Sequence, residues 1–143
     1  MISKFLNKHR DAGILFVRIG VGLAFIFVHG WAKISGGPEM WTKIGGAMGN
    51  YGLSFAPTFW GFMASASEFG GGILLLLGLF TRPAAAFMAF TMLTAFMMHT
   101  ANMDPWNRAI YPMEMFSVFM GLLFIGAGKY SLDNLLFRKK EKV

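Results

Sequence analysis

Long runs without charge alternate with short polar punctuation along this chain. Ala12 to Lys33 holds only Arg18 and His29 before its terminal lysine. Pro57 to Phe80 holds only Glu68, Ala84 to Thr100 only His99, and Arg108 to Gly128 only Glu114 after its first residue. At about 1.5 Å per residue, some 20 apolar residues cover the roughly 30 Å hydrocarbon core of a bilayer. Each run therefore predicts a spanning helix, with boundaries near 12–33, 57–80, 84–100 and 108–128. Thr81-Arg82-Pro83 is a tight turn whose proline suits the first turn of the third helix, and Asp104-Pro105 marks the turn before the fourth. The pattern predicts an all-α bundle of four transmembrane helices in a single integral membrane domain.

The connection from Ile34 to Ala56 is longer than a turn needs. Gly36-Gly37-Pro38 stops the first helix and can begin another, and Met40, Trp41, Ile44 and Met48 then share a helical face. This predicts a short helix lying in the interface, ending near Gly49 to Gly52; the alternative is an irregular loop holding an aromatic ring at the surface. At the far end, Ser131-Leu132-Asp133 is placed to cap a short basic tail helix within 131–143.

Composition agrees with the pattern. Of 143 residues, 55% are hydrophobic and only 14% charged, against roughly a quarter charged in soluble domains. The net charge of +6 comes mostly from the two ends, where Lys4, Lys8, Arg10, Arg138, Lys139, Lys140 and Lys142 sit. That placement suits membrane lipids with anionic headgroups and calls for no nucleic acid. Nine basic residues fall on the side of the termini and three (Lys33, Lys43, Arg108) on the other, so the positive-inside bias predicts both termini in the cytoplasm of a bacterial inner membrane. The absence of cysteine excludes disulfides, thiolate metal ligands and persulfide chemistry by this chain. The 12 methionines read as flexible packing rather than as copper ligands.

The few ionisable residues inside the spans are the candidate chemistry. Counting along the helices puts Arg18 about 9 Å and Glu68 about 18 Å from the cytoplasmic edge. Two long side chains and modest tilt close that difference, so an Arg18–Glu68 pair is expected at mid-depth. His29, Lys33, His99 and Glu114 are expected to gather nearer the outer face. The pair would orient a ligand or merely lock two helices together, and Arg18 snorkelling to the cytoplasm is a further alternative. No metal site is expected: it would require the histidine nitrogens to share one ion with Glu114.

Taken in order, these residues resemble the DoxX family of small four-helix membrane proteins. The resemblance rests on Arg18 with Gly20 and Gly22, on His29-Gly30-Trp31-Ala32-Lys33, and on Glu68-Phe69-Gly70-Gly71-Gly72. Leu77-Gly78-Leu79-Phe80-Thr81-Arg82, His99, Glu114 and the run from Gly126 to Asp133 complete it. Some members of that family are membrane subunits of quinone-linked oxidoreductases, and others are tied to thiol stress or to quinone detoxification. The resemblance thus implies a redox-associated membrane subunit that binds quinone, or a similar small apolar molecule, between its helices. A quinone needs a few convergent polar groups in an apolar cavity. Arg18 and Glu68 would orient it, with His99 and Glu114 handling protons. No flavin, haem or iron–sulfur motif is present, so the electron donor would sit on an oxidoreductase partner subunit or be the substrate itself. A non-enzymatic anchor or assembly subunit, or a homo-oligomer of that kind, is the competing reading, and whether the chain is itself an enzyme stays open.

Overall fold

In a bilayer every backbone N–H and C=O must find its partner within the protein, which leaves an uninterrupted apolar segment little choice but a helix. The computed structural model describes residues 8–137, and its described elements are helices joined by short turns. Four are long and apolar enough to cross a membrane: α1 (Arg10–Ile34), α3 (Pro57–Leu77), α4 (Thr81–Ala101) and α5 (Trp106–Ile125). Between the first two lies the short α2 (Gly37–Gly45), followed by a 3₁₀ segment, Gly46–Tyr51. A tail helix, α6, covers Leu132–Phe137. Lys4 and the basic cluster Arg138, Lys139, Lys140 and Lys142 lie outside the described residues.

The four long helices form a ring in chain order. α1 packs on α3, α3 on α4 and α4 on α5. Side chains close the ring between α5 and α1, where the Phe25 and Phe119 rings meet edge to face at 5.1 Å. Phe25, Leu75, Met88 and Phe119 are fully buried in the centre. Phe16, Phe27, Phe87 and Phe124 point outward and are 63–75% exposed. Large apolar side chains on every outer face are what a lipid-facing bundle requires.

Two pairs of glycines mark close approaches between helices. Gly22 on α1 meets Gly72 on α3, where a side chain on either would press on the other helix's backbone. This is the small-residue packing of membrane helices, where backbones come close because lipid gives no hydrophobic drive between helices. Gly45 on α2 lies against the Pro57 carbonyl, and Gly61 on α3 lies against the Trp41 carbonyl. Each pair is one turn apart on its own helix and matched in reverse order. α2 therefore runs antiparallel along the N-terminal turns of α3. Met88 fills the space over Gly71, as expected of a methionine used for packing.

The chain end fastens the opposite edge of the bundle. Ser131 Oγ accepts from the Asn134 N–H at 3.1 Å, capping α6. The Asp133 carboxylate accepts from the N–H groups of Phe80 (2.7 Å) and Thr81 (2.9 Å) at the start of α4. A carboxylate beside otherwise unpartnered N–H groups satisfies them and complements the positive end of the helix dipole.

Candidate functional site

Arg18 and Glu68 do not pair. Arg18 is 1% exposed and turns toward the α3 C-terminus. Its Nε donates to the Leu75 carbonyl (2.8 Å) and its Nη2 to the Leu76 carbonyl (3.2 Å). Its Nη1 donates to the carbonyls of Ala127 (2.7 Å) and Tyr130 (2.9 Å) in the turn before α6. The last carbonyls of a helix have no partner of their own and carry its negative dipole end. A guanidinium with five fixed donors suits that fork of acceptors. Those carbonyls lie at Arg18's own level, whereas Glu68 is two turns nearer the α3 N-terminus, about 10 Å along the helix. Arg18 thus ties α1 to α3 and to the turn before α6; it is buried rather than snorkelling, and it does not line the cavity between α3 and α4.

Glu68 instead receives Lys33. The Lys33 ammonium donates to both carboxylate oxygens at 2.6 Å. Glu68 is 3% exposed and Lys33 35%, so the pair reaches from the interior to a wetter edge. The path of α1 explains the meeting. Its buried positions recur at Ile14, Arg18, Gly22 and Phe25, then step by five to Gly30. That step is a π turn over Phe25–Gly30, which holds one residue more than an α turn and so rotates the rest of the helix about its axis. Gly30 then lies against the Phe69 backbone, and Lys33, one turn on, comes beside Glu68. The Lys33 carbonyl also accepts the Trp41 indole N–H at 2.9 Å, joining α2 to the same corner.

The ion pair forms part of the wall of a cavity of about 360 Å³ between α3, α4 and the 3₁₀ segment. Met63, Ser67 and Glu68 line it from α3; Phe90, Thr94 and His99 line it from α4; Ala47 and Met48 close it from the 3₁₀ segment between α2 and α3. Phe59 and Phe87, also on its wall, are more than half exposed, so the cavity gives onto the lipid-facing side. Trp60 lines it as well, and its indole N–H is buried with no acceptor among the described residues. A mostly apolar chamber with one ion pair on its wall can take a flat apolar molecule bearing a hydrogen-bond acceptor.

The remaining predicted residues divide. His99 lines the cavity with its Nδ1 2.7 Å from the Asp104 carboxylate. His29 stands on the α5 side, its Nε2 2.8 Å from the Tyr111 hydroxyl and the two rings stacked at 5.2 Å. Glu114 joins neither group: it is exposed on the outer face of α5. The expected outer gathering of His29, Lys33, His99 and Glu114 is therefore only half formed, because facing on α5 is set by which side packs on α4. Tyr111, Asp104 and Trp60 carry contacts that the pattern of charges does not reveal. For Asp104 the signal was five-residue proximity to His99; for the other two there was none.

Among relatives, the inner membrane protein YqjF of Escherichia coli (strain K12) is 36% identical over 140 residues, covering 94% of this chain and 99% of that protein. An uncharacterized protein of Haemophilus influenzae (strain ATCC 51907 / DSM 11121 / KW20 / Rd) is 35% identical, over 94% of this chain and 98% of its own length. A Bacillus subtilis (strain 168) protein named "Putative oxidoreductase CatD" is 26% identical over 95% and 96% of the two chains. No solved structure matches significantly. A family model described as DoxX matches residues 13–101. With four apolar helices long enough to span and an inner-membrane relative aligned nearly end to end, this is a bacterial inner-membrane protein and a member of the DoxX family.

Proposed function

We propose that this chain is a redox-associated membrane subunit that admits a quinone, or a similar small apolar molecule, from the bilayer into the cavity between α3 and α4. The observation that carries the reading is a Lys33–Glu68 ion pair, its carboxylate buried, on the wall of a 360 Å³ apolar chamber whose edge faces lipid. The ligand ring would lie between Phe90 and Met63, with a carbonyl taking a donor of Lys33. His99, held by Asp104 at 2.7 Å, is the group placed to exchange a proton with the outer side. The relative named as an oxidoreductase supports the redox association. We read both termini as cytoplasmic from the charge bias.

The test is equilibrium binding of a short-tailed quinone to the full chain in lipid nanodiscs. A hydrogen bond to a charged group is worth about 1.5–3 kcal/mol, so Lys33→Met is expected to weaken binding by about tenfold or more. Ala64→Phe, which fills the chamber, is expected to abolish it. Unchanged binding in both variants, with the fold intact, rules the reading out.

A further inference from the structure

A second feature lies away from the cavity. Glu114 is the ninth residue of α5 and sits about 12 Å along the helix from Trp106 and about 16 Å from Ile125. It is exposed, and it makes no hydrogen bond or ion pair among the described residues. At about 100° per residue, Glu114, Ser117 and Gly121 fall within about 60° of one another. They lie opposite Ala109, Pro112, Phe119 and Leu122, the buried side of the helix. The carboxylate thus stands at mid-depth on a face turned to lipid, too far from either end for its short side chain to reach water. Ionisable residues in spans almost always face protein or a water-filled cavity. Gly121 has open space where a Cβ would be, and Ser117 is exposed, so a neighbouring helix can come close at this point, as at other small-residue crossings.

We infer that this face of α5 docks a transmembrane helix of another subunit, one carrying an arginine or lysine at mid-depth that pairs with Glu114. Charge complementarity selects that occupant over a second copy. Among the described residues, the cations this chain holds inside its spans are already engaged: Arg18 by four carbonyls and Lys33 by Glu68. Arg108 lies at the outer end of α5. Two copies meeting here would bring Glu114 against Glu114, which like charge opposes. The docking face does not touch the cavity, so this inference stands or falls independently of ligand binding.

The absence of cysteine makes the experiment clean. The full chain carrying Met103→Cys, at an outer turn, is labelled with a donor fluorophore and reconstituted in vesicles. The probe is an acceptor-labelled, leucine-rich transmembrane peptide with one central arginine, compared with the same peptide bearing leucine there. Interhelical polar contacts in membranes are worth about tenfold in association. The arginine peptide is therefore expected to associate about tenfold more tightly than the leucine peptide, and Glu114→Gln is expected to remove that preference. Gly121→Leu is expected to weaken association through crowding alone. Equal association of the two peptides, or a preference that survives Glu114→Gln, overturns the inference. So does rapid disulfide dimerisation of a Ser117→Cys chain in peptide-free vesicles, which would assign the face to a second copy.

Discussion

Replacing Lys33 by methionine keeps most of the side chain's length and removes its charge, leaving Glu68, 3% exposed in the native chain, with no cation against it. Breaking a buried ion pair from one side costs about 3–5 kcal/mol, because the remaining charge is stranded. Lys33 itself is 35% exposed, so water can reach the corner it vacates, and the expected loss is about 3 kcal/mol, at the low end of that range. Converting Glu68 to Gln in the same chain removes the stranded charge and should restore much of that loss. A double-mutant cycle, read by reversible unfolding of the purified protein in mixed micelles, then gives a Lys33–Glu68 coupling of about 1–3 kcal/mol. The parallel cycle on Arg18 and Glu68 should be additive within about 0.5 kcal/mol, since the two share no contact. A coupling between Arg18 and Glu68 as large as that between Lys33 and Glu68 would refute the pairing described here.

Three further outcomes are expected. Arg18→Met removes the donor from the carbonyls of Leu76, Ala127 and Tyr130, while the Leu75 carbonyl keeps the Gly78 N–H; at about 1–3 kcal/mol for a fully buried acceptor, we expect a loss of about 1–3 kcal/mol by the same unfolding assay, with Arg18→Lys recovering only part of it. Asp133→Ala removes the acceptor for the Phe80 and Thr81 N–H groups and should cost about 1–2 kcal/mol, with faster amide exchange confined to the start of α4. Gly61→Leu drives a side chain into the Trp41 backbone and should detach α2 from α3, seen as increased protease sensitivity of the connection between α1 and α3 while the four spans remain.

The architecture was legible in the sequence because it depends on a quantity the sequence states directly, the length of each uncharged run. A bilayer punishes unpaired backbone, so a run such as Ala84 to Thr100 has one outcome whatever surrounds it. Turn chemistry was legible in part: Ser131 caps α6 and Pro83 suits the first turn of α4, but Thr81-Arg82-Pro83, expected as the tight turn, belongs to that helix, and the chain reverses at 78–80 instead, where Gly78 and Phe80 take positive φ. Glu68 and Lys33 were recognisable as site candidates for the same reason, since charge inside a span needs a partner.

Which partner was another matter. Counting residues fixed the depth of Arg18 but not the direction of its side chain, and the carbonyls at the end of α3 leave no trace in a sequence as acceptors. The π turn at Phe25–Gly30 moved the register of α1 by one residue, and that step brought Lys33 to Glu68. Tyr111 met His29, and Glu114 turned outward, because α5 packs on α4 by one side only. The sequence by itself determined how many helices cross the membrane and which charges lie within them. The tertiary structure alone decided which of those charges meet, because pairing depends on helix rotation and packing, which come from contacts between segments far apart in the chain.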